Sequence, residues 1–388
     1  MRVVRESARR EAIELLQTLI KIRSVNPPGE EDRVTDYIEN YLSELGIEFR
    51  RVPLEPGRSS LVARIPGESE GSYVLCGHMD TVDTDPTKWT STDPFTPRVK
   101  GGRLWGLGSA DMKSGVAVIL QTAKEIVLQR VTPPHDLVLA FTADEECAYR
   151  GAASVAASGL IDDARLLLIM EPTGGSAYIG QKGELWIEAT FHGRAAHGSI
   201  PESGVSAILP AATFCTKLHE RSRAFPEIPG LGTTSLNIGQ FEGGWQVNVV
   251  PDTATLRLDS RVVTPEERDR VVALVEELGS TCAGACGARF EYCVFNDQAR
   301  IVSDWEALDV QRFLRVHNNV TGKPIQARIA PYSTDAVAIV PQISAPVVIY
   351  GPGCIEQAHQ PDEYLELNSL YEALEIVTCY LTGEDGVD

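Results

Sequence analysis

Five short stretches of this chain carry residue types that could do chemistry together. In Gly77-His78-Met79-Asp80-Thr81-Val82, His78 and Asp80 are two apart and share a face if the backbone is extended. A carboxylate so placed can hold an imidazole in one tautomer while its other nitrogen binds a metal. The plain alternative is a structural histidine–carboxylate pair. Gly108-Ser109-Ala110-Asp111-Met112-Lys113-Ser114-Gly115 puts Asp111 at the entry to a helix, as a ligand or only as a cap. Thr142-Ala143-Asp144-Glu145-Glu146 sets three carboxylates directly after an apolar run. They repel one another and cost desolvation if buried, unless cations neutralise them; an exposed acidic loop would avoid that cost. Two neighbouring glutamates can divide the labour, one as a ligand and one handling protons. Glu171-Pro172-Thr173 closes another apolar run, and His359 lies in Ala358-His359-Gln360-Pro361-Asp362-Glu363, just after Gly351-Pro352-Gly353. One His, one Asp, two Glu and a second His make two three-ligand sets if the aspartate is shared. Nitrogen and oxygen donors with open positions are what catalytic zinc uses, and two metals roughly 3.5–4 Å apart form a hydrolytic clamp.

The elements that must position these residues can be read from hydrophobic periodicity. Arg5 to Ile22 is an amphipathic helix, broken by Asn26-Pro27-Pro28-Gly29, and a second helix runs from Glu31 to Leu45. Ser72–Cys76, Leu137–Thr142 and Leu166–Met170 read as short apolar strands and Ser114–Leu128 as a helix. All the stretches but that of Asp111 fall just after an expected strand, where open α/β sheets bind ligands. The middle of the chain differs. Glu184–His192 alternates like a half-buried strand, with Leu185, Ile187, Ala189 and Phe191 on one face. A helix over Ser203–Leu218 follows, then strands over Thr233–Phe241 and Thr253–Arg261. A helix over Pro265–Leu278, capped by Thr264, and a strand over Arg289–Phe295 complete the set. That β-α-β-β-α-β order is ferredoxin-like. Afterwards the first pattern resumes, with helices over Trp305–His317 and Ser369–Leu381 and a strand over Val347–Tyr350. The expected fold is α/β, a sheet flanked by helices, with an inserted ferredoxin-like α+β domain. The catalytic domain would span 1–179 and 298–388, and the insert 180–297.

Composition excludes several function classes. A formal net charge of -19 argues against nucleic acid or an anionic membrane as partner. No apolar run is long enough to span a bilayer. The charged start, MRVVRESARREAIELL, lacks the apolar stretch of a secretory signal, so a cytoplasmic location is expected. The eight cysteines are scattered and read as free thiols of a reducing compartment.

As an ordered set, the motifs resemble the co-catalytic metallohydrolase superfamily of acetylornithine deacetylase, succinyl-diaminopimelate desuccinylase, aminoacylase and carboxypeptidase G. The resemblance covers nearly the whole chain, insert included. It implies that His78 and Glu171 hold one divalent metal, that Glu146 and His359 hold the other, and that Asp111 bridges them through a cis peptide to Met112. The metals would be zinc, with cobalt or manganese as alternatives. It also implies that Asp80 orients His78 and that Glu145 is the general base. Gly193-Arg194-Ala195-Ala196-His197-Gly198 matches a motif whose histidine stabilises the oxyanion, often in the partner's site, so a homodimer joined through the insert is expected. Asn248 and Arg261 match positions that bind a substrate carboxylate, although a structural salt bridge would also account for Arg261. Two features depart from the desuccinylase pattern. Pro331-Tyr332-Ser333-Thr334-Asp335-Ala336 replaces Gly-Gly-Thr-Ser-Asp, and Gly180-Gln181-Lys182-Gly183 replaces an Arg-rich stretch. The expected reaction is hydrolysis of an amide in a small N-acyl amino acid. A dipeptidase or carboxypeptidase on the same site, and a metal-binding protein without turnover, are the alternatives.

Overall fold

The computed structural model describes residues 4–323 and 326–383. The outermost residues of the expected catalytic segments, 1–3 and 384–388, and residues 324–325 lie outside the described residues. In chain order the main elements are α1 (Glu6–Lys21), α2 (Asp32–Glu44), β1 (Glu48–Glu55), β2 (Arg58–Ile65), β3 (Ser69–His78), α3 (Lys113–Gln129), β4 (His135–Thr142), α4 (Arg150–Ala157) and β5 (Ala164–Ile169). Next come β6 (Gly183–His192), α5 (Ile208–Ser222), β7 (Ser235–Gly243), β8 (Thr253–Val262), α6 (Pro265–Ala285) and β9 (Arg289–Gln298). The chain ends with α7 (Leu308–Thr321), β10 (Val347–Ile349) and α8 (Leu367–Thr382). The described residues of Met1–Gly180, Val302–Ala330 and Thr334–Asp388 form one compact unit, and those of Gln181–Ile301 and Pro331–Ser333 another.

The first unit is built on a six-stranded sheet in the order β1-β2-β4-β3-β5-β10. β4, β3, β5 and β10 are parallel, and β1 and β2 add an antiparallel edge. The parallel strands end in unbroken buried runs, the pattern of a sheet covered on both faces. Helix α1 buries Ala8, Ala12, Leu15, Leu16, Leu19 and Ile20, one stripe of a 3.6-residue period. Helix α3 is buried along most of its length. Its first residue, Lys113, donates from Nζ to the carbonyls of Leu19 and Ile22 at the C-terminal end of α1. These bonds tie the C-terminal end of α1 to the helix that starts just beyond Asp111.

The second unit is a four-stranded antiparallel sheet in the order β7-β8-β6-β9. Leu185, Ile187, Ala189 and Phe191 of β6 face a core shared with Phe214 and Leu218 of α5 and Val271, Leu274 and Val275 of α6. Thr264 caps α6 by accepting from the Glu267 N–H.

Several helix limits differ from the sequence expectation, and three of them have a plain local cause. α5 begins at Ile208 rather than Ser203, because Val205 exchanges main-chain hydrogen bonds with Arg194 and keeps the preceding chain extended. α6 continues through Gly279 to Ala285. That glycine is required by packing, since a Cβ there would lie 2.2 Å from the Phe290 ring. α7 begins at Leu308 rather than Trp305 because Asp304 makes a turn, accepting from Glu306 and Ala307.

Candidate metal centre

Seven of the expected site residues come together at the C-terminal ends of the parallel strands, where the sheet's helices begin. His78 is the last residue of β3, Glu145 and Glu146 follow β4, and Glu171 follows β5. Asp111 precedes α3, and His359 lies in the loop before α8. The peptide between Asp111 and Met112 is cis, as the family resemblance implies.

Asp111 stands between the two histidines. Its Oδ1 is 3.1 Å from His78 Nε2, and its Oδ2 is 3.4 Å from His359 Nε2. His78 Nε2 also lies 3.9 Å from both Glu145 Oε2 and Glu171 Oε1. His359 Nε2 is 3.0 Å from Glu146 Oε2. Donors on a tetrahedral zinc with bonds near 2.0–2.1 Å are about 3.3 Å apart, so these separations suit a cation among them. His78, Asp111 and Glu146 each offer an atom within 4.8 Å of the others, which makes the two ligand sets contiguous through the shared aspartate.

Protonation supports the same conclusion. His78 Nδ1 donates to the Asp80 carbonyl at 3.0 Å, an oxygen that can only accept. The lone pair of Nε2 therefore faces carboxylates alone. Burial pushes Glu145 and Glu171 well above the ordinary glutamate range, and neighbouring carboxylates push them further. Glu146 is raised by burial and by Asp111, and its Oε1 is buried without a hydrogen-bond partner. His359 is pulled up to about 10 by its bonds to Asp111 and Glu146. Five buried or half-buried acids around two imidazoles need positive charge, and the donor set fits divalent cations.

Asp80 has a second task beside His78. Its main-chain carbonyl fixes the His78 tautomer, while its carboxylate lies 3.6 Å from Nδ1. The carboxylate instead accepts from the N–H groups of Glu145 and Glu146 at 3.3 and 3.2 Å, and from Asn26 Nδ2 at 2.9 Å. The reason is geometric. β3 and β4 are neighbours in the sheet, so their C-terminal loops lie side by side. Asp80 thus pins the main chain that carries both glutamates.

Residues 74–383 match the Peptidase family M20/M25/M40. The chain belongs to this family. It is 30% identical over 367 residues to the acetylornithine deacetylase of Proteus mirabilis, covering 92% of each chain. It is 28% identical over 383 residues to a probable succinyl-diaminopimelate desuccinylase of Staphylococcus epidermidis, covering 91% of this chain and 92% of that one. Its fold matches a tripeptidase from Staphylococcus aureus with a TM-score of 0.82, at 24% identity over 97% of this chain and 98% of the other. Like its M20/M25/M40 relatives, the protein is a hydrolase of amide or peptide carbon–nitrogen bonds. Among the described residues no helix is long and apolar enough to cross a membrane, and all eight cysteines are free.

The other three expected site residues lie in the second unit of this M20 chain. His197 is exposed, and its Nδ1 accepts from the Ser199 N–H at 3.1 Å and from Ser199 Oγ at 2.7 Å. An N–H can only donate, so the His197 proton sits on Nε2, ready to be given outward. Asn248 is close by, its carbonyl accepting from the Gly198 N–H at 2.7 Å. Arg261 makes ion pairs with Glu184 and Asp259 and a 3.3 Å bond to Ser333 Oγ. The structural salt bridge considered for it is therefore present, and Nε and Nη1 are committed to it.

Four supporting residues had no role in the sequence reading. Asn26 donates to both Asp80 and Asp144. Arg58 joins Glu31 to Asp144. Asp335 accepts from Thr142 and Cys76, at the ends of β4 and β3. Glu363 accepts from the main chain around Asp111. Their signal was weak. Asn26 sat in a turn motif read only as a helix breaker, and the others act on main-chain groups or on partners distant in sequence.

Proposed function

We propose that the chain hydrolyses the amide bond of a small N-acyl amino acid. The observation that carries this reading is the two-sided aspartate, with one oxygen of Asp111 toward His78 and the other toward His359. His78 and Glu171 would hold one divalent cation, Glu146 and His359 the other, and Asp111 both. Zinc suits this donor set, and cobalt or manganese would substitute. When bound, such a pair polarises a carbonyl oxygen and makes water a nucleophile at neutral pH. Glu145 is the general base, taking a proton from the attacking water and giving it to the departing amine. Its position rests on Asp80, which holds the main chain of Glu145 and Glu146. His197 donates its Nε2 proton to the developing oxyanion. Asn248 orients the carboxylate of the amino-acid portion, and Arg261 assists with whatever donors its ion pairs leave.

Residues 1–179 and 298–388 would form the catalytic domain, and residues 180–297 a lid that also joins two copies into a homodimer. The free thiols suit a reducing cytoplasm. Similarity over 92% of the length of an acetylornithine deacetylase supports an acyl amino acid over a peptide. The test is a panel of N-acetyl amino acids, N-succinyl amino acids and dipeptides, assayed with bound metal quantified. Metal-dependent release of free amine from an N-acetyl substrate is expected. Cleavage of dipeptides alone would move the assignment to a dipeptidase. No turnover of any substrate with two equivalents bound would refute both.

A further inference from the structure

We infer that Glu363 is a positioning residue that holds together the two loops presenting Asp111 and His359, and that it thereby sets affinity for one of the two cations. The inference rests on the metal-binding reading above. A short antiparallel ladder pairs Tyr364–Glu366 with Arg103–Trp105. It continues one step further, where the Gly106 N–H donates to the Glu363 carbonyl at 3.0 Å. There the main-chain ladder stops and the Glu363 side chain takes over. Its Oε2 accepts from the Gly108 N–H at 3.0 Å. Its Oε1 accepts from the N–H groups of Ala110 at 2.6 Å and Asp111 at 3.1 Å. Glu363 is buried, and this nest of N–H groups is what an anion needs there. One of the three donors is the main chain of Asp111 itself.

On its other side Glu363 anchors the loop of His359, four residues earlier. That ring is 54% exposed, so packing does little to hold it. The loop also passes twice through the left-handed region, with His359 at φ 60° and Asp362 at φ 59°, a conformation histidine and aspartate tolerate better than most residues but one that still depends on support from its surroundings. Asp362 supplies part of that support by accepting from Thr90 and Ser91, and Glu363 supplies another part through its bonds to Gly108, Ala110 and Asp111. His78 has no such need, because it is buried and its ring is fixed by the Asp80 carbonyl. Glu363 therefore bears chiefly on the cation shared by Asp111, Glu146 and His359. The cation of His78 and Glu171 depends on it less.

The test is Glu363→Gln, with Glu363→Asp as a second variant in case the first does not fold. Glutamine keeps the size but turns an amide N–H₂ toward one of the three N–H donors. Aspartate keeps the charge but shortens the reach. Metal-free protein is titrated with Co²⁺, following its absorption spectrum and competing with a chelator. Wild type should bind two equivalents. The variants should bind one equivalent as wild type does and the second 10- to 100-fold more weakly, the usual effect of removing a partner that orients ligands. Excess Co²⁺ should restore the wild-type spectrum. Both equivalents binding as tightly as in wild type would overturn the inference, as would equal weakening of both. Failure of wild type itself to bind two equivalents would instead refute the metal-binding reading.

Discussion

Replacing Arg58 with methionine tests how the glutamate-bearing loop is held. The guanidinium is buried and bridges Glu31 and Asp144, whose side chains are 0% and 1% exposed. Removing one partner of a buried ion pair typically costs about 3–5 kcal/mol, because the other charge is stranded. Here Asp144 keeps Arg150 and Asn26, so the stranded group is Glu31, left with the Asp144 N–H. The low end applies, about 3 kcal/mol. At roughly 2 °C per kcal/mol for a chain of this size, Tm should fall by about 6 °C. The midpoint of urea unfolding should fall with its slope unchanged. Because Asp144 directly precedes Glu145 and Glu146, kcat should drop more than KM rises. Arg58→Lys should recover only part of the loss, since an ammonium cannot make the forked contact with Glu31. A methionine variant melting within a degree of wild type, with normal kcat, would refute the argument.

Glu145→Gln should keep both metals and lose about 100- to 10,000-fold in kcat, whereas Glu146→Ala should lose one metal; metal analysis beside kinetics checks both, and retention of two metals in Glu146→Ala would reverse the roles. Mixing inactive His197→Ala with inactive Glu145→Ala under subunit exchange should restore activity if His197 serves the partner's site, and no recovery would place it in its own. Burial holds the His317 imidazole below its usual value despite its bond to the Gly175 carbonyl. As pH falls below about 6.5 the unfolded chain takes up that proton first, so stability should decline there. His317→Gln should flatten the decline in melts below about pH 6.5, and an unchanged profile would exclude His317 as its source.

Much of the centre was legible because its residues break a readable pattern. Leu137–Thr142 and Leu166–Met170 are plainly apolar strands, so Glu145, Glu146 and Glu171 straight after them are conspicuous. The same applies to His78. What was not legible depends on partners distant in sequence. The Asp80 carboxylate acts on the main chain of Glu145 and Glu146, 65 and 66 residues away, and only the pairing of β3 with β4 brings them together. β1 and β2 escaped notice because their sequences, Glu48–Glu55 and Arg58–Ile65, mix arginines with apolar residues. The helix expected over Pro265–Leu278 falls short of α6, because the close fit of Gly279 against the Phe290 ring involves another element. At Arg261 the sequence left two roles open, since a motif match does not show that Glu184 and Asp259 stand beside the arginine.

The main chain at Asp144, with φ at 67°, lies where glycine is most at ease. Glycine would relieve the backbone yet lose the carboxylate that Arg58, Arg150 and Asn26 share. Most larger residues that could reach the arginines would resist the backbone. Aspartate is among the few side chains that tolerate both demands, with asparagine a partial substitute. In a saturation library, position 144 would therefore be almost as intolerant as Glu145, although it is assigned no contact with substrate or metal. Intolerance to substitution in this loop marks conformational scarcity as well as chemistry.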